Sequence, residues 1–476
     1  MTTLRTSSEK SGSSNTPMWS NPLRGLVSRP MTSFYLLVGS ALLLLVVGLV
    51  MVLSASSIDS FVANGSAFTV FLKQVKWAVL GLCAFWVAML IRPHWYRYLA
   101  YPFLIPAVIM LAALLVNPAW GVGDHGRWLA VGPIQFQPSE LAKLALVLWG
   151  ADILVRKQHL LVEWRQLAIP FLPVAGIVLL LVGANDLGTM MCLLMVVAGL
   201  LWVSGVRFRL LAALGGLSLV AVVMLIGSRS YRLERVTNFL DPFADKDDAG
   251  HQSVQGLYAL STGGWWGVGL GQSRGKWEYL PEAHNDFIFA SSGEELGIIG
   301  AMMVIALYGV LAYAGLRIAR RVADPFQRLA AASCTIWLAG QAFINMAQVA
   351  GLLPVTGIPL PLISAGGSSL VLTMFVVGIL ACFARAEPAA AAALHARGPN
   401  WISRITRIPL PPLPGTSPGK SALTGRVRKP AKVTASSSGK RNNGDRVSTV
   451  GRTLTKSSPR PQARTNGVPS PPGGRK

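Results

Sequence analysis

Three short runs hold the residues able to do chemistry. The first is Gly126-Arg127-Trp128, followed by Gln135-Phe136-Gln137-Pro138-Ser139-Glu140-Leu141-Ala142-Lys143. Pro138 suits the first turn of a helix, where its missing N–H costs nothing. Glu140 then sits where the helix dipole favours a negative charge, and Lys143, three residues on, shares its face. As structure, this is a helix start with one internal ion pair. As chemistry, Arg127 and Lys143 make a fixed positive site suited to a phosphate-bearing lipid headgroup.

The second run is Glu278-Tyr279-Leu280-Pro281-Glu282-Ala283-His284-Asn285-Asp286-Phe287-Ile288-Phe289. Asn285 or Asp286 could cap the helix that follows. Alternatively, Asp286 is a partly desolvated carboxylate at a membrane–water boundary, placed to act as general base. Glu294 and Glu295 lie about 12–14 Å deeper by helical rise, too far to share that proton, and read as internal polar contacts or groove lining. The third run, Pro354 to Ser369, is punctuated by Pro and Gly, so it breaks a helix and re-enters. Irregular backbone at membrane depth is tolerated only against protein or a cavity. Its small residues permit close approach of a ligand or of another helix.

Other motifs carry no such chemistry. Gly263–Gly271 is glycine-rich but opens no βαβ unit, so it is not a dinucleotide site. Ser273-Arg274-Gly275-Lys276 matches S-x-x-K without the KTG that would accompany it. Walker lysine, HExxH and zinc spacings are absent from the sequence, which disfavours an ATP-driven pump. Cys83, Cys192, Cys334 and Cys382 are widely spaced within apolar runs and behave as small apolar side chains.

The elements that must position these residues are membrane helices. Hydrophobic residues make up 52% of the 476 and charged residues only 13%, about half the usual charged share. Of the net charge of +23, most lies in the tail, because Arg385 to Lys476 carries 18 basic residues against Glu387 and Asp445. Ten apolar runs approach the roughly 20 residues a span needs: 34–53, 71–91, 99–116, 141–154, 167–182, 190–203, 210–226, 287–316, 329–352 and 362–383. The fourth is the weakest, being short and opening on Glu140 and Lys143. The first is long enough to span rather than to serve as a cleaved leader. An even number puts both termini on one side. Arg92, Arg97, Arg156, Lys157, Arg165, Arg207, Arg209, Arg317, Arg320, Arg321 and Arg328 on the short connections of that side make it cytoplasmic. The expected architecture is therefore an all-α polytopic membrane protein of about ten transmembrane helices. Residues 1–33 form a cytoplasmic tail, 34–385 the transmembrane domain, and 227–285 one large extracytoplasmic loop between helices 7 and 8. Residues 386–476 read as a disordered basic cytoplasmic tail, too poor in apolar surface to fold. That tail could be a solvated tether, or could attract anionic lipid or an acidic partner. No 20–50-residue repeat is visible, which weakens an inverted-repeat transporter reading.

At its three clusters the chain resembles the SEDS family (shape, elongation, division and sporulation), bacterial multi-span proteins that polymerise the peptidoglycan precursor lipid II. The matching stretches are Phe136–Lys143, Asn185-Asp186-Leu187-Gly188-Thr189, Tyr279–Ala290, Gly293-Glu294-Glu295-Leu296-Gly297 and the Pro354–Ser369 loop. The Tyr-Leu-Pro-Glu-Ala-His run and Arg235-Val236-Thr237-Asn238-Phe239-Leu240-Asp241-Pro242 are more similar to the division member than to the elongation member. The long basic tail is similar to actinobacterial versions. Asn285 stands where the family usually has Thr, and Ala365 where it has an aromatic residue; both departures spare the charged positions.

The resemblance implies ten spans in a bacterial plasma membrane, at the division septum, and an inverting glycosyltransferase. Asp286 would be the catalytic base, taking the proton from the GlcNAc 4-hydroxyl of lipid II. That oxygen would attack the lipid-linked end of the nascent glycan chain and release undecaprenyl pyrophosphate, with Arg127 and Lys143 stabilising the departing charge. Substrate-binding candidates are Arg127, Gln137, Ser139, Glu140, Lys143, Glu282, His284, Glu294, Thr356, Ser364, Gly366, Gly367 and Ser368. A divalent cation, magnesium or manganese, is a candidate cofactor with no ligand set readable in the sequence. The implied partners are a class B penicillin-binding transpeptidase and other divisome proteins; nucleic acid is not among them. The alternatives are a lipid II flippase, which would need polar groups continuing to the cytoplasmic face, and a non-catalytic divisome scaffold.

Overall fold

A computed structural model describes residues 29–122, 126–131, 134–158, 169–243, 250–275, 283–398 and 407–413. All belong to one compact unit, Met1–Thr416. In lipid each backbone polar group must be satisfied within its own segment, and the apolar runs accordingly fold as helices. They are α1 (Thr32–Asn64), α2 (Thr69–Leu90), α3 (Tyr96–Val116), α4 (Pro138–Arg156), α5 (Phe171–Asn185), α6 (Leu187–Val203) and α7 (Phe208–Gly227). After two shorter helices, α8 (Ser230–Leu240) and α9 (His251–Thr262), come α10 (Ile288–Arg321), α11 (Pro325–Val349), α12 (Gly367–Arg385) and α13 (Pro388–Arg397). Seven of these, α1, α2, α3, α7, α10, α11 and α12, are long and apolar enough to cross a membrane. The chain is thus a multi-pass membrane protein. α5 and α6 are apolar but shorter, and α4 interrupts its apolar sequence with Glu140, Lys143 and Asp152.

The placement of α4 explains how it tolerates those charges. It is buried along nearly its whole length, packed against α3, α5, α6, α11 and α12. Its ionisable groups face protein rather than lipid, where they would be costly. At its far end Asp152 is fully buried between Arg97 at 2.9 Å and Arg156 at 2.7 Å. Around this centre α12 lies along α2 and α1 along α10, with small residues at the closest approaches. A Cβ on Gly378 would stand 2.7 Å from the Phe85 carbonyl oxygen of α2, and one on Gly48 of α1 would stand 2.6 Å from the Ile363 backbone. By contrast, α7 has no buried residue and stands at the edge of the bundle.

Three features depart from the simplest reading of the sequence. Three short strands, β1 (Gly121–Val122), β2 (Trp128–Val131) and β3 (Ile134–Phe136), form an antiparallel sheet, with Leu129 opposite both Gly121 and Phe136. The 227–285 loop contains α8 and α9. The segment from Pro388, expected to be disordered, begins as helix α13 because it is a run of alanines, the best helix formers, opened by a proline at its first position. Ala390 and Ala391 are fully buried. Tail residues 414–476 and most of the N-terminal segment lie outside the described residues.

α10 is broken at Gly297, whose φ of 70° and ψ of −171° are open only to glycine. The break frees backbone groups that lipid could not satisfy. The glycine-rich 263–271 loop supplies partners instead: Val268 N donates to Glu294 O (3.0 Å), Gly269 N to Glu295 O (3.1 Å), and Ile298 N to Gly264 O (2.9 Å). Contact this close requires glycine on both sides. A Cβ on Gly267 would lie 2.1 Å from the Glu295 carbonyl oxygen.

Candidate functional site

Four irregular segments meet at one end of the bundle: the approach to α4, the α5–α6 junction, the 283–287 turn ahead of α10, and the 353–366 loop. Asp186 serves both helices of the junction at once, ending α5 and capping α6. Its carboxylate accepts from Thr189 N (3.0 Å), Thr189 Oγ1 (2.8 Å) and Gln137 Nε2 (3.4 Å). It also lies 3.7 Å from Arg127 Nη1. Neither Asn285 nor Asp286 caps α10. That position belongs to Phe287, which has no capping side chain.

Apart from a turn in which Ile363 N and Ser364 N donate to Leu360 O, the 353–366 loop is held in place by side-chain amides. Gln74 of α2 donates to Ser364 O (3.2 Å) and accepts from Gly366 N (3.3 Å). On α11, Gln341 donates to Pro359 O (3.0 Å) and Gln348 accepts from Thr356 N (2.9 Å). Asn345 between them donates to Ile358 O and Asp286 O. Ser364 closes the arrangement: its hydroxyl donates to Asn285 O (2.7 Å) and accepts from Leu360 N (2.8 Å). Leu362 is held with φ of 70°, a left-handed conformation that costs a leucine about 1–2 kcal/mol and that the surrounding packing imposes.

These segments enclose a polar cavity of about 270 Å³, lined by Asp286, Asn285, Arg127, Trp128, Gln137, Thr189, Arg235, Gln252, Gly357, Pro359, Ala365, Gly366 and Ser369. At Gly357 (φ 70°) the chain passes between the two charged groups. A Cβ there would lie 3.5 Å from Asp286 Oδ2 and 3.8 Å from Arg127 Nη1. A second, mainly apolar cavity of about 130 Å³ adjoins it, with Leu187, Met191, Val222, Ile226, Val236 and Thr356 in its wall. Arg127, Arg235 and Val355 line both.

The structure brings Asp286, Arg127, Gln137 and Gly366 together on the polar cavity and puts Thr356 on the apolar one. The other candidates are elsewhere. Lys143, expected to meet a phosphate, is completely buried, donating to Glu140 Oε1 (2.7 Å) and Gln341 Oε1 (2.9 Å) with its ammonium 5.0 Å from the Trp337 ring centre. Burying two charges is tolerable only when they are paired like this, so both Lys143 and Glu140 belong to the scaffold. Ser139 is buried in the first turn of α4. Glu294 accepts from Ser273 Oγ and from Arg274 N (2.9 Å), and Glu295 from Ser54 Oγ; both are internal contacts. Ser364 and Ser368 are likewise scaffold, Ser368 Oγ accepting from Gln137 N (3.4 Å). His284 contributes its carbonyl to Ala365 N (3.0 Å). Gly367 makes room for Trp77, whose ring a Cβ would meet at 2.6 Å. Glu282 lies outside the described residues.

Arg235, Gln252 and Asp186 line the cavities without having been singled out for that role. Gln341, Asn345 and Gln348 were also passed over, although their i, i+4, i+7 spacing within an apolar run is a readable stripe. Among the described residues no three His, Cys, Asp or Glu side chains come together. Magnesium needs only one or two carboxylates besides substrate phosphates, and the polar cavity offers Asp286 alone among carboxylates. The described residues therefore supply no dedicated cation cage.

The model of the family described as "Cell cycle protein" (FtsW, RodA, SpoVE) matches residues 34–388. A Mycobacterium tuberculosis protein named probable peptidoglycan glycosyltransferase FtsW is 44% identical over 388 residues, which is 81% of this chain and 74% of that protein. Among solved structures, one chain comes from a peptidoglycan synthase complex studied for how it coordinates polymerization and crosslinking. It aligns with a TM-score of 0.61 at 28% identity, over 73% of this chain and 96% of that one. The Thermus thermophilus rod shape determining protein RodA aligns with a TM-score of 0.54 at 27% identity, over 74% and 97%.

Proposed function

This chain belongs to the FtsW/RodA/SpoVE family of cell cycle proteins, and on that premise we propose that it is a septal peptidoglycan glycosyltransferase polymerising lipid II. The observation that carries this reading is the convergence of the Asp286 carboxylate and the Arg127 guanidinium on one polar cavity at the end of a membrane bundle. Both termini are then cytoplasmic and the cavity faces outward, where lipid II is consumed.

In the proposed reaction, Asp286 accepts the proton of the GlcNAc 4-hydroxyl of lipid II. The oxygen forms a bond to the anomeric carbon at the lipid-linked end of the growing glycan. The bond from that carbon to the diphosphate breaks, its electron pair leaves with undecaprenyl pyrophosphate, and the anomeric centre inverts. Arg127 stabilises the negative charge that builds on the leaving group. Gln137, Asn285 and Gln252 offer amide groups, and Trp128 a ring face, to the sugars. Lys143 acts only indirectly, by fixing Gln341 and through it the loop. A class B penicillin-binding transpeptidase is the proposed partner, in keeping with the synthase complex from which a similar chain was solved. The basic segment after residue 386 is proposed to lie against anionic lipid or an acidic divisome protein.

The test is purified protein, with its transpeptidase partner, supplied with lipid II. Wild type yields glycan chains, and Asp286→Ala yields none while retaining wild-type thermal stability. Polymer made equally well by the folded variant would refute the base assignment. Lipid II translocation without polymer would favour a flippase.

A further inference from the structure

The two cavities meet at a pair of arginines, and we infer that Arg127 and Arg235 form a two-guanidinium clamp for a lipid-linked diphosphate. Arg235 is then a substrate-binding residue in its own right. The inference deepens the polymerase reading and rests on it for the identity of the lipid.

The argument starts from the partition. One cavity carries Asp286 and three amide side chains, while the other, although Asp186 and Arg232 also border it, exposes mainly apolar surface from side chains such as Val222, Ile226 and Met191. A molecule occupying both must change from polar to apolar along its length, with its anionic group where the two spaces join. A sugar–diphosphate–isoprenoid has that order. Both guanidiniums stand on the join, since Arg127 and Arg235 line each cavity.

Charge leads to the same residue. Arg127 is already neighbour to Asp186 at 3.7 Å, so alone it offers little net charge to a diphosphate. α8 brings two further arginines, three residues apart and thus on one helical face, but with different employment. Arg232 is buried and committed: it donates to Gly183 O (3.0 Å), Ala184 O (2.8 Å) and Leu225 O (3.1 Å), tying α8 to the ends of α5 and α7. Arg235 has among the described residues one long bond, 3.4 Å to Val355 O, which a phosphate oxygen would readily replace. Arginine's planar fork of donors matches phosphate oxygens. Lys143, the other cation near this end, is sealed in the core.

The experiment measures binding without turnover to the full-length protein in lipid nanodiscs, with three probes: geranylgeranyl diphosphate, geranylgeranyl monophosphate and inorganic pyrophosphate. Wild type should prefer the prenyl diphosphate over both others. Arg235→Gln should weaken prenyl diphosphate binding about tenfold or more, as expected for loss of a charge-assisted contact, and reduce the preference over monophosphate. Arg235→Lys should recover part of the loss, and Arg229→Gln, on an exposed residue of the same region, should bind as wild type. Folded Arg235→Gln with wild-type affinity would overturn the clamp. Pyrophosphate binding as tightly as the prenyl diphosphate would overturn the role of the apolar cavity. Because no turnover is involved, these outcomes are independent of whether Asp286 is the base. Polymer made by Asp286→Ala would refute that assignment and not this one.

Discussion

Asn345 and Asp286 are joined through the backbone: Asn345 Nδ2 donates to the Asp286 carbonyl at 2.8 Å and to the Ile358 carbonyl at 2.7 Å. One fully buried amide on α11 thereby sets the distance between the turn carrying the carboxylate and the loop carrying Gly357. Asp286 itself borders the polar cavity.

Replacing Asn345 by Ala leaves two buried carbonyls without their donor. This should lower stability by about 1–3 kcal/mol and, in protein that remains folded, lower kcat for lipid II more than it raises KM, because the proposed base, Asp286, is displaced rather than the substrate lost. The checks are thermal unfolding in detergent and steady-state kinetics. Turnover at the wild-type kcat would mean that the 286–358 spacing is fixed without Asn345.

Lys143→Ala strands Glu140 as an unpaired buried charge, a loss of about 3–5 kcal/mol, and should reduce the yield of folded protein. The double change Lys143→Met with Glu140→Gln removes both charges and should restore stability, with KM for lipid II near wild type. A stable double variant whose KM rises tenfold would return Lys143 to the substrate.

Gly297→Ala places a Cβ 2.4 Å from Gly267 N and 2.5 Å from Trp265 O, in a conformation that only glycine adopts. The expected loss is about 3 kcal/mol or more, accompanied by protease sensitivity in the 263–275 loop as it parts from α10. Wild-type stability of this variant would show that the loop and the helix break do not depend on one another.

Glu387 sits just beyond α12, buried beside Arg321 at 3.9 Å. Burial raises its carboxyl above the ordinary value of 4.5, and the nearby Ser33 hydroxyl and the charges of Arg321 and Arg317 pull it back only in part. The folded state therefore holds this proton more tightly than the unfolded state. The stability this contributes is complete below 4.5 and declines as pH rises through the folded value. Glu387→Gln lacks this dependence and should gain stability relative to wild type as pH rises above 4.5. A difference that stays flat, or runs the other way, would contradict the burial of the charge.

Much of this arrangement was legible beforehand, for physical reasons. Helices take up most of each apolar run, though the last opens on non-helical residues 362–366, because lipid leaves the backbone little alternative, and Asp286 and Arg127 are charges beside such runs. The fate of Lys143 was not legible: its spacing from Glu140 was plain, but its burial depends on Gln341 and Trp337, some 200 positions away. Arg235 and Gln252 were less legible: Arg235 is visible only within the family-like Arg235–Pro242 stretch, and nothing in the 227–285 sequence shows that α8 and α9 bring both residues to the cavity. The glycines of 263–271 open no βαβ unit. Their actual use, mending a broken helix, becomes visible only when Gly297 is seen beside them.

The loop that shapes the cavity is secured by Gln74, Gln341, Asn345 and Gln348, none of which gains or loses a proton at any pH a cell meets. These four contacts contain no ionisable group, whereas the neighbouring Lys143–Gln341 and Asp186–Thr189 contacts do. In a pH–rate profile of this protein the amide contacts would therefore add no inflection of their own, and any inflection traces to charged groups in or beside the cavity.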